Sequence, residues 1–595
     1  MEMTIQGAMD LAVQYHQEGK LKEAEALYRQ VLTFDPYQTD AMHLLGLLAS
    51  HVGKNTVAIQ LIQQAIKLSH PNTPSLFWIN LSGIYLGLTL VLDAENAARQ
   101  GLTNDPTCSG LWNNLGNALY IQGKILESAD AFKRAIEHDS LNAGALSNWA
   151  NIMQETGHIT DAMAAHKQAC TIDPNHKAAA DNYLRDVGFL KDLDPIFVRD
   201  EHIAWAREFE KSIHPESIFR HHTNKPDAAK RIKAGLISPD FRLHSVTYFI
   251  EPLLRNMDRT KFEIFCYANV VNPDETTKRL QTYDVNWRNI IPLDDQKAAQ
   301  MIIDDGIDIL IDLAGHTSEN RCRILALRAA PLQMTYLGYP FSTGLKECDY
   351  RITDALSDPV GMTESHYSEK LLRLPTSTWC FHPPSYNIAV GPSPALKNGY
   401  ITFGSFNTYN KINDHVLDTW SKILHRVAHS RLLIKAHGFS DKQVHDQLLS
   451  QLQSRGIAPS RVKIMGREHE TSKHLQLYHE MDIALDPFPY NGTTTTCEAI
   501  WQGLPVITLE GATHVSRVGF VINTLLGREE LIAKNPDQYV DIAEKLASDV
   551  QRLDEMRQSS RSAMMQSKLY DQMDFTRNFE QILTQAWQEW CEMHQ

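Results

Sequence analysis

The sequence predicts an α-helical repeat array followed by two doubly wound α/β domains. Three observations carry this. The first third of the chain repeats with a period of about 34 residues. From Arg231 onward, short apolar runs alternate with helical stretches. Those runs lack an inside–outside alternation, as parallel strands covered on both faces do.

Glycine and small residues set the repeat. Gly19, Gly53, Gly123 and Gly157 each end one helical pattern and precede another. A small residue follows in a fixed slot (Ala24, Ala58, Ser128, Ala162), and a larger one one turn later (Tyr28, Ile62, Phe132, His166). A unit between Ser75 and Pro106 carries Ala94 and Ala98 in these slots but lacks the glycine. Units start near residues 5, 39, 75, 109 and 143. This is the tetratricopeptide pattern, and five units are enough to stack a continuous core. The array is expected over residues 1–176. Asn80, Asn114 and Asn148 share one slot of three successive units. Such a column either caps or solvates a helix, or it offers a ladder of amides to the backbone of an extended peptide.

Residues 177–230 break the repeat, with a helix at 196–211 and a His/Pro/Asn-rich link after it. The first α/β domain is expected over 231–393, with strands at 233–238, 262–268, 307–313 and 334–337. The second is expected over 394–570, with strands at 401–406, 431–435, 462–465, 482–485 and 505–509. Helical patterns at 414–426 and 472–480 lie between them. Residues 571–595 read as a last helix that packs back on the first sheet.

The bulk numbers exclude several classes. An apolar fraction of 43% and a charged fraction of 22% are ordinary for a soluble protein. A net charge of −14 argues against nucleic acid or an anionic membrane as partner. The eight cysteines are scattered without a Cys-x-x-Cys pair, which reads as reduced thiols in a cytoplasmic protein. No apolar run approaches roughly 18 residues, so no membrane span is expected. The N-terminus has no basic patch before an apolar core, so no signal peptide is expected either.

The most telling stretch is Asp486-Pro-Phe-Pro-Tyr-Asn-Gly-Thr-Thr-Thr-Thr-Cys-Glu-Ala-Ile. An apolar run ends in a Pro-broken loop, which turns at Gly492 and delivers Thr493, Thr494, Thr495 and Thr496 to the start of a helix. Unpaired N–H groups, the positive end of the helix dipole and the hydroxyls together suit a diphosphate. A threonine run is otherwise a strand or a capping segment. Lys411 follows the strand at 401–406 and precedes a helix capped by Asn413 or Asp414. A cation there neutralises charge growing on a departing diphosphate; the alternative is a solvated loop lysine. His244 and His316 each follow the carboxyl end of a strand, where ligands of such folds sit. A structural role is the alternative for both. The one Asp-x-Asp pair, Asp192 and Asp194, lies in the link, so no metal site is expected.

Four segments together resemble the family of nucleocytoplasmic protein O-GlcNAc transferases and plant SPINDLY proteins. The first is Ile237-Ser-Pro-Asp-Phe-Arg-Leu-His-Ser-Val-Thr-Tyr-Phe. The second is Asp312-Leu-Ala-Gly-His-Thr with Ala329-Ala-Pro-Leu-Gln-Met-Thr-Tyr-Leu-Gly-Tyr-Pro-Phe-Ser-Thr-Gly. The third is Phe403-Gly-Ser-Phe-Asn-Thr-Tyr-Asn-Lys-Ile, and the fourth is the threonine stretch through Trp501-Gln-Gly-Leu-Pro-Val-Ile-Thr. The resemblance implies a GT-B fold of two facing Rossmann-like lobes behind a tetratricopeptide superhelix. It implies metal-independent, inverting transfer of GlcNAc from UDP-GlcNAc to Ser or Thr of proteins, which would be held in the repeat groove. No cofactor beyond the nucleotide sugar is implied. Lys411 and His244 become catalytic-site residues, and Gly338, Tyr339 and Pro340 a loop against the donor sugar. Thr408 and the four threonines fall to the nucleotide sugar, and Glu498 to the ribose hydroxyls. Thr493 stands where animal members carry histidine, as in SPINDLY-type sequences, so GDP-fucose is the alternative donor. A non-catalytic tetratricopeptide adaptor is the reading from another class. The intact Lys411, His244 and threonine run argue against it.

Overall fold

A computed structural model describes residues 4–386 and 388–594. The chain forms two units, residues 1–153 with 164–176, and residues 154–163 with 177–595.

Helix pairs run from Ile5–Gln17 and Leu21–Phe34 to Ala143–Glu155 and Ile159–Ile172, five pairs among the described residues. The small slots hold Ala24, Ala58, Ala94, Ser128 and Ala162, each with 0% exposure. Only such residues let two helices of a pair approach this closely. The Ser128 hydroxyl satisfies itself by donating to the Gly116 carbonyl at 2.7 Å. Gly19, Gly53, Gly123 and Gly157 end their helices at φ of +74°, +76°, +78° and +85°. The unit without glycine makes the same turn at Thr89, φ +57°. A β-branched residue there costs about 1–2 kcal/mol, which the stacked repeats hold in place.

The asparagine column binds the array to itself. Asn80 Nδ2 lies 2.8 Å from His43 Nε2. Asn114 donates to the Ile79 carbonyl at 3.0 Å and to Ser82 Oγ at 2.9 Å. Asn148 donates to Asn113 Oδ1 at 3.0 Å. Each bond crosses to the preceding helix pair. Stacking uses two N–H bonds from Asn114 and one each from Asn80 and Asn148.

In the second unit, β1 (Ile232–Ser238), β2 (Phe262–Ala268), β3 (Asn286–Asn289), β4 (Ile309–Asp312), β5 (Leu332–Thr335), β6 (Tyr350–Asp354) and β7 (Lys370–Leu374) form one parallel sheet in the order 3-2-1-4-5-6-7. The other sheet holds β8 (Thr402–Ser405), β9 (Arg431–Lys435), β10 (Val462–Met465), β11 (Ile483–Leu485), β12 (Val506–Leu509) and β13 (Ile532–Ala533), in the order 10-9-8-11-12-13. Both sheets reverse direction beside their first strand, between β1 and β4 and between β8 and β11. Helices cover opposite faces on the two sides of such a point, so a crevice opens at the strands' carboxyl ends.

The last helix, Gln572–His594, sets Phe575, Phe579, Leu583 and Trp587 into one buried cluster with Ile264, Met334 and Tyr336 of the first sheet. The helix Pro195–Lys211 also covers that sheet, with Ala206 against Ile237, Phe265 and Leu310. Asp194 caps this helix by accepting the Ile196 N–H at 2.9 Å, which accounts for one aspartate of the Asp-x-Asp pair. Phe249, Trp379 and Phe381 of the first lobe share a core with Phe406, Met481 and Val518 of the second. All eight cysteines are free thiols. No helix among the described residues is long and apolar enough to cross a membrane.

Candidate active site

Two loops flank the reversal point of the second sheet. From β8 the chain enters the turn Tyr409–Lys411 and then the helix Asp414–Arg426, where Asn413 Oδ1 accepts the Val416 N–H at 3.1 Å. From β11 it enters the Pro-rich loop. Asp486 folds that loop by accepting the Gly492 N–H at 2.7 Å and the Thr508 hydroxyl at 3.0 Å. Asn491 donates to the Pro487 carbonyl at 2.9 Å. Lys411 joins the two loops: its Nζ donates to the Asn491 carbonyl at 2.8 Å and lies 4.3 Å from the centroid of the Tyr490 ring. Burial pulls Lys411 down to about 8 and pushes Asp486 up to about 7, and each group's charge opposes the other's shift.

The helix Thr494–Trp501 begins behind Thr493, and no side chain caps its first turn. Thr495 Oγ1 donates to Asn407 Oδ1 at 3.2 Å and Thr496 Oγ1 to the Gly492 carbonyl at 2.9 Å. Two of the expected phosphate hydroxyls are thus engaged within the protein, while Thr493 and Thr494 line the space between the lobes. An anion placed there meets open N–H groups, a positive dipole end and these two side chains.

The first lobe contributes His244 from the loop after β1. Its Nδ1 accepts the Val246 N–H at 3.3 Å and lies 3.4 Å from Asp240 Oδ1. Burial lowers its pKa against the pull of Asp240, so the ring is neutral near pH 7. A neutral ring that accepts at Nδ1 carries its proton on Nε2, ready to donate. The loop after β5 turns at Leu337, φ +73°. A Cβ on Gly338 would stand 2.0 Å from the Leu313 carbonyl oxygen, so only glycine fits there. Arg351 fixes the far side of this loop, donating to the carbonyls of Tyr339 at 2.9 Å and Phe341 at 3.1 Å.

These parts meet at a cavity of about 170 Å³, lined by His244, Leu337, Gly338 and Pro340 from one lobe and Tyr490, Thr493, Thr494 and His514 from the other. Seven expected residues do not line it: Lys411, Thr495 and Thr496, placed above, and Tyr339, Thr408, Glu498 and His316. The Tyr339 hydroxyl is buried 2.7 Å from His202 Nε2 and 3.1 Å from the Leu184 carbonyl. Thr408 is exposed on the turn after β8. Glu498 Oε2 accepts from His474 Nε2 and from the Tyr478 hydroxyl, both at 3.1 Å. His316 is buried with Nδ1 3.0 Å from Asp181 Oδ1 and Nε2 2.9 Å from the Thr343 carbonyl. Both partners only accept, so both nitrogens donate and the ring is a cation. Burial opposes that charge, and Cys322 and Asp181 together outweigh it and raise the pKa. Gly315, at φ +54°, turns the chain so that His316 enters the protein wall rather than the cleft. As an expected sugar ligand it is corrected to a buried brace.

The sequence reading missed His514, Trp379, Tyr490 and the loop-folding role of Asp486. The last two lie inside the stretch already singled out. His514 pairs with Asp358, 156 positions away, and a separation of that size leaves no local signal. Among the described residues, no group of three or more His, Cys, Asp or Glu side chains is gathered to hold a metal ion.

Comparison with known proteins agrees with this architecture. Residues 8–38 and 84–143 match tetratricopeptide repeats. A probable UDP-N-acetylglucosamine–peptide N-acetylglucosaminyltransferase SPINDLY from Solanum lycopersicum is 39% identical over 423 residues, 70% of this chain and 45% of that protein. The UDP-N-acetylglucosamine–peptide N-acetylglucosaminyltransferase of Caenorhabditis elegans is 26% identical, over 61% of this chain and 41% of that protein. The chain thus spans less than half the length of these curated relatives. A solved mutant of Thermobaculum terrenum O-GlcNAc transferase superposes with a TM-score of 0.80 and 30% identity, over 88% of this chain and all of that one. Residues 200–382 and 387–579 match the family model itself: the chain belongs to glycosyl transferase family 41.

Proposed function

We propose that this chain transfers a sugar from a nucleotide diphosphate to Ser or Thr hydroxyls of proteins, with inversion at the anomeric carbon and without a metal ion. The observation that carries the reading is the open helix end at Thr493–Thr494 and His244 lining one cavity, with Lys411 against Tyr490, which forms part of its wall. The acceptor oxygen attacks as the bond from the anomeric carbon to the diphosphate breaks. Negative charge grows on the leaving phosphate, and the Lys411 ammonium with the helix N–H groups meets it. The donor of first choice is UDP-GlcNAc, the sugar nucleotide in the names of the relatives. GDP-fucose is the second reading, favoured by Thr493. The free thiols fit a reducing, cytoplasmic setting.

Calorimetry with UDP and with GDP, both in EDTA, tests this directly. One nucleotide is expected to bind at least about tenfold more tightly than the other, a difference of 1.4 kcal/mol. Binding of neither would remove the proposal, and binding restored only by a divalent ion would remove the metal-free part.

The repeat array is proposed to guide protein acceptors. Deleting residues 1–140 is expected to lower transfer to long protein acceptors by about tenfold or more while sparing donor hydrolysis, because only acceptor contacts are lost. Equal loss of both rates would mean that the array supports the fold instead.

A further inference from the structure

One polar group of the cavity is not used by the scheme above. His514 opens the helix His514–Leu525, behind a capping box made by Thr513 and Ser516. Its Nδ1 lies 2.8 Å from Oδ2 of Asp358, which stands between β6 and β7 in the opposite lobe. Asp358 has 0% exposure, and its Oδ1 accepts the Tyr367 hydroxyl at 2.9 Å. The Thr353 hydroxyl also binds Oδ2. Burial works against this carboxylate, but His514, Arg351 and Thr353 outweigh it and hold Asp358 well below the usual carboxylate range. An ionised carboxylate only accepts, so Nδ1 of His514 carries a proton. No partner for the other ring nitrogen, Nε2, occurs among the described residues.

The surroundings of this ring say what it can take. Thr493 and Thr494 belong to the open helix end, and His244 to the β1 loop. Much of the remaining wall is apolar, formed by Val246, Phe249, Leu337, Trp379 and Val518, with the Trp379 ring centroid 5.4 Å from that of His514. Apolar walls with a few oriented polar atoms are the usual form of a subsite for a small organic group. A phosphate is disfavoured beside His514, because the Asp358 charge stands directly behind the ring. A hydroxyl suits it, since it can donate to or accept from Nε2 and tolerates that field.

We infer that His514, oriented by Asp358 across the cleft, recognises a hydroxyl of the donor sugar. The inference rests on the nucleotide-sugar reading of the cavity and adds a residue that discriminates sugars rather than nucleotides.

The experiment compares nucleotide with nucleotide sugar, using UDP with UDP-GlcNAc or GDP with GDP-fucose, whichever nucleotide the wild-type protein binds. In His514→Ala, affinity for the nucleotide sugar is expected to fall about 10- to 100-fold, while affinity for the nucleotide stays within about twofold. A merely structural brace between the lobes would move both affinities together, and an unchanged ratio would overturn the assignment. His514→Gln serves if the alanine variant melts early. If neither variant folds, wild-type protein is tested with donors lacking one sugar hydroxyl at a time. At least one of these is expected to lose about tenfold or more in affinity, and none doing so overturns the assignment. If the wild-type protein binds neither UDP nor GDP, the underlying reading itself has failed, an outcome distinct from an unchanged ratio in the variant.

Discussion

Lys411→Ala is expected to lower sugar transfer by about 10³-fold with little change in melting temperature, because a preorganised charge aimed at the leaving group is lost. The side chain bonds one carbonyl and stacks on one ring, so its removal opens a small polar space without emptying a core. The loss should fall on kcat more than on KM. Charge on the diphosphate grows between ground and transition state, and an interaction that strengthens along this path appears in kcat. Near-normal turnover in this variant would leave the scheme without its central cation.

The same group sets the alkaline limit of the reaction. Burial pulls Lys411 down to about 8, so the free enzyme holds the cation below that pH and loses it above. The value of kcat/KM is therefore expected to fall on the alkaline side with a limb near 8. A bound diphosphate favours the charged form, so the limb in kcat should lie higher. A profile flat to pH 10 in both parameters would contradict the placement of Lys411 at the phosphate.

The legible strands read as short apolar-rich runs, whether buried in the sheet or, like β10, partly buried at its edge. Phe262–Ala268, Arg431–Lys435 and Val462–Met465 coincide with the apolar runs. β3 reads Asn-Trp-Arg-Asn and lies at a sheet edge, where polar side chains meet water and no run forms. The edge strand β7 mixes Lys and Arg with leucine, β13 is only two residues long, and the five residues of β6 mix polar with apolar. At the site, His244, Lys411 and His316 all follow strand ends, but only His244 lines the cavity; Lys411 stands against Tyr490, and His316 is buried against Asp181. A strand end fixes where a loop starts, not which way its side chains turn, and Gly315 decided the second question. The asparagine column shows the complementary limit. Its periodicity was plain, but a slot shared by successive repeats faces the neighbouring repeat as readily as a ligand, and each of these amides bonds to the preceding repeat. The pairing of His514 with Asp358 exists only once the lobes face each other.

Gly338→Ala is expected to cost the donor site about 10² in kcat/KM, although the change adds only a methyl group. The new Cβ would stand 2.0 Å from the Leu313 carbonyl oxygen and 3.0 Å from its carbonyl carbon. These are backbone atoms just beyond β4, which cannot rotate aside as a side chain does. The loop after β5 must move instead, carrying Leu337 and Pro340 with it, and both are walls of the cavity. Overpacking of this kind also destabilises by roughly 1–3 kcal/mol, so activity is to be measured well below the melting temperature. Gly87→Ala is the matched control: it lies in a repeat helix with nothing within 4 Å of the added carbon, and it is expected to leave donor kinetics unchanged. A Gly338→Ala protein that binds its nucleotide normally but has lost affinity for the nucleotide sugar would assign this loop to the sugar half of the site. Loss of both ligands together would assign it to the closure of the lobes, because a displaced wall then acts on the cleft as a whole. Full retention of both would mean that the sheet end yields and the loop stays, which its close backbone contact argues against.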